Sequence, residues 1–408
     1  MSPRYERRQR GGGGALLLLI AAAALVVAVL AIFTDVFSGK KAPDKDTDSP
    51  AVTQPADGEP DGTGDADNTA KDPEGDQKGG QSGNGDGNTD KSTVTTTKPA
   101  ASNVITTDAT PYQSGGVYIV GNAGYEMYNY VGSLAEKYQS TVNAVADSLS
   151  GVSNVYAMAI PLSSSITLPD SLLSDIPGSD QAQAEKDILA GMGQNIKTVP
   201  LHDALNAHRT EYIYFRTDHH WTALGAYYAY VQFCNVKGIT PHDLSDYEVS
   251  QYTGFLGSFY NDGGKPQAMA DDPDTVNAYH PVSSTAAMKY GSSENSELTG
   301  GKVIFDESTA AASLKYGAFI MGDNPYTVIS NPDLSDGSSC VVVKEPFGNA
   351  FVPGLVDHYQ TVYVIDYRYY SGSVVDFAKT NKVTDVIFVN NLSAIRGSYQ
   401  MGKLAGVK

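Results

Sequence analysis

The sequence predicts an α/β fold built on a largely parallel sheet. Short runs of β-branched and aromatic residues at 155–160, 196–199, 341–344, 362–365 and 386–389 read as buried strands. Several are separated by stretches whose apolar residues recur every three or four positions, as amphipathic helices do. The later strands end in polar turns at 322–325, 345–349, 366–370 and 390–393, which such a sheet opens on one edge.

Ahead of this pattern the chain is of another kind. Residues 15–33 carry no charge and, at ~1.5 Å per residue, span the ~30 Å hydrocarbon core, so a transmembrane helix in the lipid bilayer is expected. Arg4, Arg7, Arg8 and Arg10 precede it and Lys40 and Lys41 follow. That bias puts residues 1–14 in the cytoplasm as a basic tail and exports the rest. The run exceeds the ~7–15 apolar residues of a signal peptide, which favours an uncleaved anchor. Residues 42–100 contain no aromatic residue and hold 13 Asp and Glu against 5 Lys. Such a segment buries too little apolar surface to offset its ordering entropy, so 34–105 reads as a disordered acidic linker.

The net charge of -18 excludes a nucleic-acid partner, since no basic surface is available for phosphates. Cys234 and Cys340 sit in apolar surroundings and read as two buried free thiols, with a bridge between them outside the cell as the alternative.

Residues 106–408 form the expected folded domain. A strand is expected at 116–121, then a helix whose face is Met127, Tyr130, Leu134, Tyr138, Val142, Val145 and Leu149. After the strand at 155–160 come a helix at 181–192, the strand at 196–199 and a helix at 201–208. Residues 212–215 read as a buried strand. Thr222 caps a helix whose apolar positions include Leu224, Tyr228, Val231 and Cys234. Residues 247–297 read as a loop-rich insertion. A strand at 318–321 and a helix at 347–359 complete the series.

Asp218, His219, His220 and Trp221 thus stand where a strand meets a helix. An Asp two residues before a His accepts the Nδ1 proton and leaves Nε2 free as a base. Adjacent histidines at a strand end point opposite ways, and no other ligand falls at metal spacing, so no metal or cofactor is expected. Trp221, the only Trp, reads as packing, with sugar stacking as the alternative. Ser258 is the nearest hydroxyl that could replace a nucleophile.

The stretch Tyr-Phe-Arg-Thr-Asp-His-His-Trp-Thr-Ala-Leu-Gly-Ala-Tyr-Tyr at 214–228 resembles the signature of the DHHW family of bacterial extracytoplasmic proteins. Gly-Phe-Leu-Gly-Ser-Phe-Tyr at 254–260, Phe-Gly-Asn-Ala-Phe-Val-Pro at 347–353 and Val-Ile-Asp-Tyr-Arg-Tyr-Tyr at 364–370 are similar to further family motifs. The family looks like a branch of the SGNH-hydrolase-like proteins that includes the alginate O-acetylation proteins. The resemblance implies a three-layer SGNH-like fold with Asp218 as orienting carboxylate and His220 as general base. It also implies a pocket shaped by His219 and Trp221. Asn349 and Arg368 read either as pocket-rim residues for a polar ligand or as a helix-turn hydrogen bond and a surface ion pair, and Ser258 and Asn324 read as further binding residues.

The family's nucleophile lies in a Lys-Asp-Ser-aromatic-Gly/Ala-Asn turn, which here reads Lys344-Glu345-Pro346-Phe347-Gly348-Asn349. Proline brings neither a hydroxyl to attack an acyl carbon nor an N–H to hold an oxyanion. The family's Gly-Asn-His-Pro turn likewise becomes Gly322-Asp323-Asn324-Pro325, placing a carboxylate where it would oppose an oxyanion. The expectation is a membrane-anchored, cell-surface protein associated with O-acetylation or other modification of an envelope polysaccharide. In that reading it is non-catalytic, binding the polymer or scaffolding a membrane-bound acyltransferase. The alternative is an active acetyltransferase or esterase that uses Asp218 and His220 with another nucleophile.

Overall fold

The structure is a computed structural model and describes residues 103–408. The expected membrane helix at 15–33 and nearly all of the linker at 34–105 lie outside the described residues. No helix of the described residues is long and apolar enough to cross a membrane.

A small antiparallel sheet of β1 (Tyr112–Ser114), β2 (Val117–Val120) and β3 (Ala123–Glu126) opens the domain. Helix α1 (Gly132–Ser148) leads into β4 (Asn154–Ile160), followed by α2 (Ser163–Ile166), α3 (Gln181–Ala190), β5 (Ile196–Thr198), α4 (His202–Asn206) and α5 (Ala223–Lys237). Next come β6 (Val249–Phe255), α6 (Ser258–Asp262), α7 (Gln267–Asp271), β7 (Asp274–Tyr279), β8 (Ala287–Gly291) and β9 (Thr299–Gly301). The chain closes with β10 (Tyr326–Ser330), β11 (Ser339–Lys344), α8 (Phe347–Phe351), β12 (Thr361–Asp366), α9 (Val374–Asn381), β13 (Asp385–Asn391), α10 (Leu392–Ile395) and α11 (Ser398–Gly406).

The main sheet has eight strands in the order β5-β4-β13-β11-β12-β10-β8-β9. The first five run parallel, and the last three extend the sheet antiparallel. Alternate residues of the central strands face opposite layers, as a pleat requires. Tyr156, Met158, Val342 and Val389 pack under α5 and α8. Val155, Ala157, Val341 and Phe388 pack against α1, α3, α9 and α11 on the other face. This is a three-layer α/β domain, as expected, and Cys234 and Cys340 are free and buried within it.

Several expectations change. Residues 212–215 are not a strand of the sheet: one antiparallel bridge joins Tyr214 to Trp221. The nearby donors go to a side chain instead. The buried Asp274 carboxylate accepts from the Arg216 N–H at 3.0 Å, the Thr217 N–H at 2.7 Å and the Tyr212 hydroxyl at 2.6 Å. Residues 318–321 are not a strand either, because Ile320 and Met321 take φ of 47° and 56°, left-handed values that break a ladder. The helix expected at 347–359 splits at Val352, with Pro353 in the first turn of a 3-10 segment (Val352–His358). Segment 247–297 is more ordered than expected. It contains the antiparallel β6–β7 pair, and it supplies β8 to the main sheet.

Candidate functional site

The carboxyl ends of β11, β12 and β13 deliver Lys344, Asp366 and Asn391 to one edge, and the 216–222 loop closes over it. Trp221 sets the join: it is fully buried, and its Nε1 donates to the Phe347 carbonyl at 2.9 Å. It therefore packs behind the site and has no open face for a sugar. Tyr214 adds a second tie, donating to the Pro161 carbonyl beyond β4 at 2.5 Å.

Asp218 and His220 meet as the sequence predicts. His220 Nδ1 is 2.6 Å from Asp218 Oδ1, and the His220 N–H donates to the same oxygen at 3.0 Å. Asp218 Oδ2 accepts the Ser258 N–H at 2.8 Å. Burial alone would raise the Asp218 carboxyl, but His220, His219 and these hydrogen bonds outweigh it and hold the group well below the usual carboxylate range. Gly257 makes the approach feasible, because a Cβ there would lie 2.2 Å from Asp218 Oδ2.

The other side of the His220 ring is closed. Its face stacks on Tyr316 at 4.1 Å between centroids, and Phe347 lies 5.0 Å away. Nε2, the atom that would take a proton from a nucleophile, is buried with no hydrogen-bond partner among the described residues. Tyr316 also donates its hydroxyl to the Pro346 carbonyl at 3.1 Å, so the proline-bearing turn lies against the dyad. Sequence reading missed Tyr316 because nothing in its local pattern links it to His220, 96 positions away.

Ser258 pairs with the neighbouring histidine instead. Its Oγ is 2.6 Å from His219 Nδ1 and accepts the His219 N–H at 3.2 Å. Burial, then the adjacent His220, push His219 below the ordinary imidazole value. A cleft of about 340 Å³ opens in front of this pair, with Glu126, Phe259, Asp262 and Ser393 also in its wall. The two imidazoles do not point opposite ways: their centroids are 3.9 Å apart. One ligand atom from each of Asp218, His219 and His220 falls within a 4.8 Å group. Both Nδ1 atoms and both Asp218 oxygens make hydrogen bonds within the protein.

The remaining expected residues form an ionic lattice beside the dyad. Lys344, fully buried, places Nζ 2.8 Å from Asp366 and 3.4 Å from Asp323. Arg368 Nη2 pairs with Asp366 at 2.7 Å and Asp323 at 2.8 Å. Asn349 Nδ2 donates to Asp323 at 2.9 Å, while its Oδ1 is buried without a partner. Burial opposes ionisation of Asp323, yet Lys344 and Arg368 prevail and hold it well below the usual range. Its charge is thus compensated, which the sequence did not foretell. Asn324 donates to the Ile320 and Met321 carbonyls at 3.2 and 3.3 Å and so braces the left-handed turn. Glu345 is buried between the N–H groups of Phe347 and Asn391, at 3.1 and 3.0 Å. Burial pushes it up to about 7 despite those bonds.

Comparisons with known proteins agree with this architecture. The family model described as DHHW protein matches residues 87–365. A DHHW family protein from Eubacterium siraeum, solved as a crystal structure, is 28% identical, with 72% of this chain and 96% of that chain covered at a TM-score of 0.64. PatB1 of Bacillus cereus is 20% identical over 72% of this chain and 99% of its own, with a TM-score of 0.53. A second PatB1 structure, which carries a sulfonyl adduct, is matched at 18% identity and 0.54, with 72% and 98% covered. These PatB1 likenesses extend to the fold. No curated protein matches the chain.

Proposed function

The chain belongs to the DHHW family, and on that premise we propose that it is a membrane-anchored, cell-surface SGNH-like protein associated with O-acetylation or other modification of an envelope polysaccharide. Its Asp218–His220 pair is retained without a nucleophile, and the domain binds the polymer or scaffolds a membrane-bound acyltransferase. One observation carries this reading: His220 Nε2 is buried and meets no hydroxyl. Pro346, at the position of the family's serine, offers neither hydroxyl nor N–H. In a well-studied serine protease, loss of the serine costs on the order of a millionfold in turnover. The anchor at 15–33 and the linker at 34–105 would hold the domain outside the membrane at the end of a tether.

Cleavage of a small acetyl ester by the purified chain, with His220→Ala alongside, tests the reading. Turnover that depends on His220 discards it in favour of an active acetyltransferase or esterase. Because PatB1 has been solved with a sulfonyl adduct, a sulfonyl fluoride serves as reporter. The native chain takes no adduct in the 344–349 turn, whereas Glu345→Asp with Pro346→Ser takes one at residue 346 and gains ester cleavage. A silent double variant means that the pocket no longer supports acyl chemistry.

A further inference from the structure

A second hydroxyl–imidazole pair stands at the same edge of the sheet, and the reading above does not use it. β4 and β5 are parallel neighbours; the chain leaves the first into α2 and the second into α4. These two short helices bring together Ser165 and His202, with Ser165 Oγ 2.9 Å from His202 Nε2. Across the ring, Nδ1 faces Asp203 Oδ1 at 3.5 Å. Hydroxyl, Nε2, Nδ1 and carboxylate therefore follow one another in the order by which a serine is activated for attack on an acyl carbon.

Both partners are held from behind. The buried Glu185 carboxylate accepts the Leu201 N–H at 2.6 Å and the His202 N–H at 3.1 Å, which fixes the start of α4. The Gln181 side chain accepts the Leu162 N–H at 2.8 Å and donates to Ser164 Oγ at 2.9 Å, which fixes the turn into α2. The His202 side chain is only 14% exposed, so its ring is confined. Ser165 opens on a cleft of about 400 Å³ that shares no lining residue with the cleft beside His219. Tyr128, Leu168, Leu173 and Ile176 make an apolar wall, Ser164, Ser179, Asp180 and Gln181 a polar one, and among the described residues no Lys or Arg lines it. The volume is that of a small-molecule site.

The geometry points to Ser165, His202 and Asp203 as a second reactive centre, one that cleaves neutral carboxylic esters with a short apolar acyl group. Ser165 Oγ bonds to the acyl carbon as its proton passes to His202 Nε2. The bond to the leaving oxygen then breaks, and that oxygen departs as an alcohol with the proton. Water repeats the sequence on the acyl-serine and releases the carboxylic acid, so the cycle needs no oxidant, reductant or cofactor. Asp203 is 92% exposed and its charge is screened, so it is the weakest of the three.

The test uses the full chain with p-nitrophenyl butyrate and a fluorophosphonate probe read by peptide mass spectrometry. The expected result is one adduct, on Ser165, and a fall in turnover of about a hundredfold or more in Ser165→Ala and His202→Ala, against a few-fold in Asp203→Asn. No adduct, an adduct elsewhere, or undiminished turnover in Ser165→Ala overturns the inference. The reading of Pro346 stands apart, because it fails on turnover that depends on His220. Should Ser165→Ala lose its fold by circular dichroism, Ser165→Cys decides. Cys234 and Cys340 are fully buried, so iodoacetamide reports on the new thiol. Its rate falls when His202→Ala is added if the imidazole activates residue 165, and equal rates overturn the assignment.

Discussion

Trp221 Nε1 donates to the Phe347 carbonyl at 2.9 Å across 126 positions of chain. This bond fastens the loop carrying Asp218 and His220 to the turn that carries Pro346, with both rings fully buried. The bond adds a tie across the sheet edge to a loop whose own backbone ladder is the single Tyr214–Trp221 bridge and whose Arg216 and Thr217 N–H groups are held by Asp274.

Trp221→Phe removes a buried hydrogen bond and part of a fully buried ring, so the chain should lose about 1–3 kcal/mol of stability. Urea titration measures this. A loss below about 0.5 kcal/mol, the size of a neutral surface change, would mean that the bond is incidental.

Gly257→Ala should break the dyad without touching either member. The added Cβ would sit 2.2 Å from Asp218 Oδ2 and 2.3 Å from Asp218 Cβ, so the carboxylate must shift. The expected signature is loss of the low-field imidazole N–H resonance of His220 in proton NMR, with about 1–3 kcal/mol of destabilisation. A persistent resonance would show that the loop absorbs the clash.

Glu345 and Glu185 give the fold a pH dependence of defined sign. Burial raises each to about 7, against ~4.3 in an unfolded chain. Between those values the folded state binds more protons, so stability falls as pH rises through that window. The loss is up to about 4 kcal/mol per group. Asp218 and Asp323 act oppositely: their contributions are present above the unfolded carboxylate value and are lost as pH falls. Comparing Glu345→Gln with the native chain isolates one share, and its unfolding free energy should slope less between about pH 5 and 7. Parallel slopes would remove Glu345 from the account.

Asp366→Asn should be the most damaging of these changes. Fully buried Lys344 would keep only Asp323, at 3.4 Å, and Arg368 would lose half its pairing. Breaking a buried ion pair from one side costs about 3–5 kcal/mol. Thermal unfolding measures it, and a loss below about 1 kcal/mol would mean that Asp323 compensates in full.

Much of the fold was legible because its signals are local. The central strands β4, β11, β12 and β13 are short apolar runs, and α5 carries the expected Thr222 cap, although its buried face is Ala226, Ala229, Tyr230, Phe233 and Cys234 while Leu224, Tyr228 and Val231 are only partly buried. Asp218 with His220 was legible for the same reason, as two residues apart they cannot avoid one another. The segments misread were those whose backbone bonds go elsewhere. Residues 212–215 have strand composition, yet the Phe215 N–H pairs within the loop, with the His220 carbonyl, and the Arg216 and Thr217 N–H groups just beyond go to the Asp274 side chain. Residues 318–321 are apolar, yet their left-handed turn is braced by Asn324.

By itself the sequence determined the layered α/β class, the Asp-His pairing and the absence of a hydroxyl at residue 346, since each depends on residue identity and near-neighbour spacing. Tertiary structure alone decided that His220 Nε2 is sealed by Tyr316 and Phe347, that Ser258 answers to His219, and that the Asp323 charge is compensated. Those outcomes depend on how distant segments pack at one sheet edge, and no local pattern carries that information.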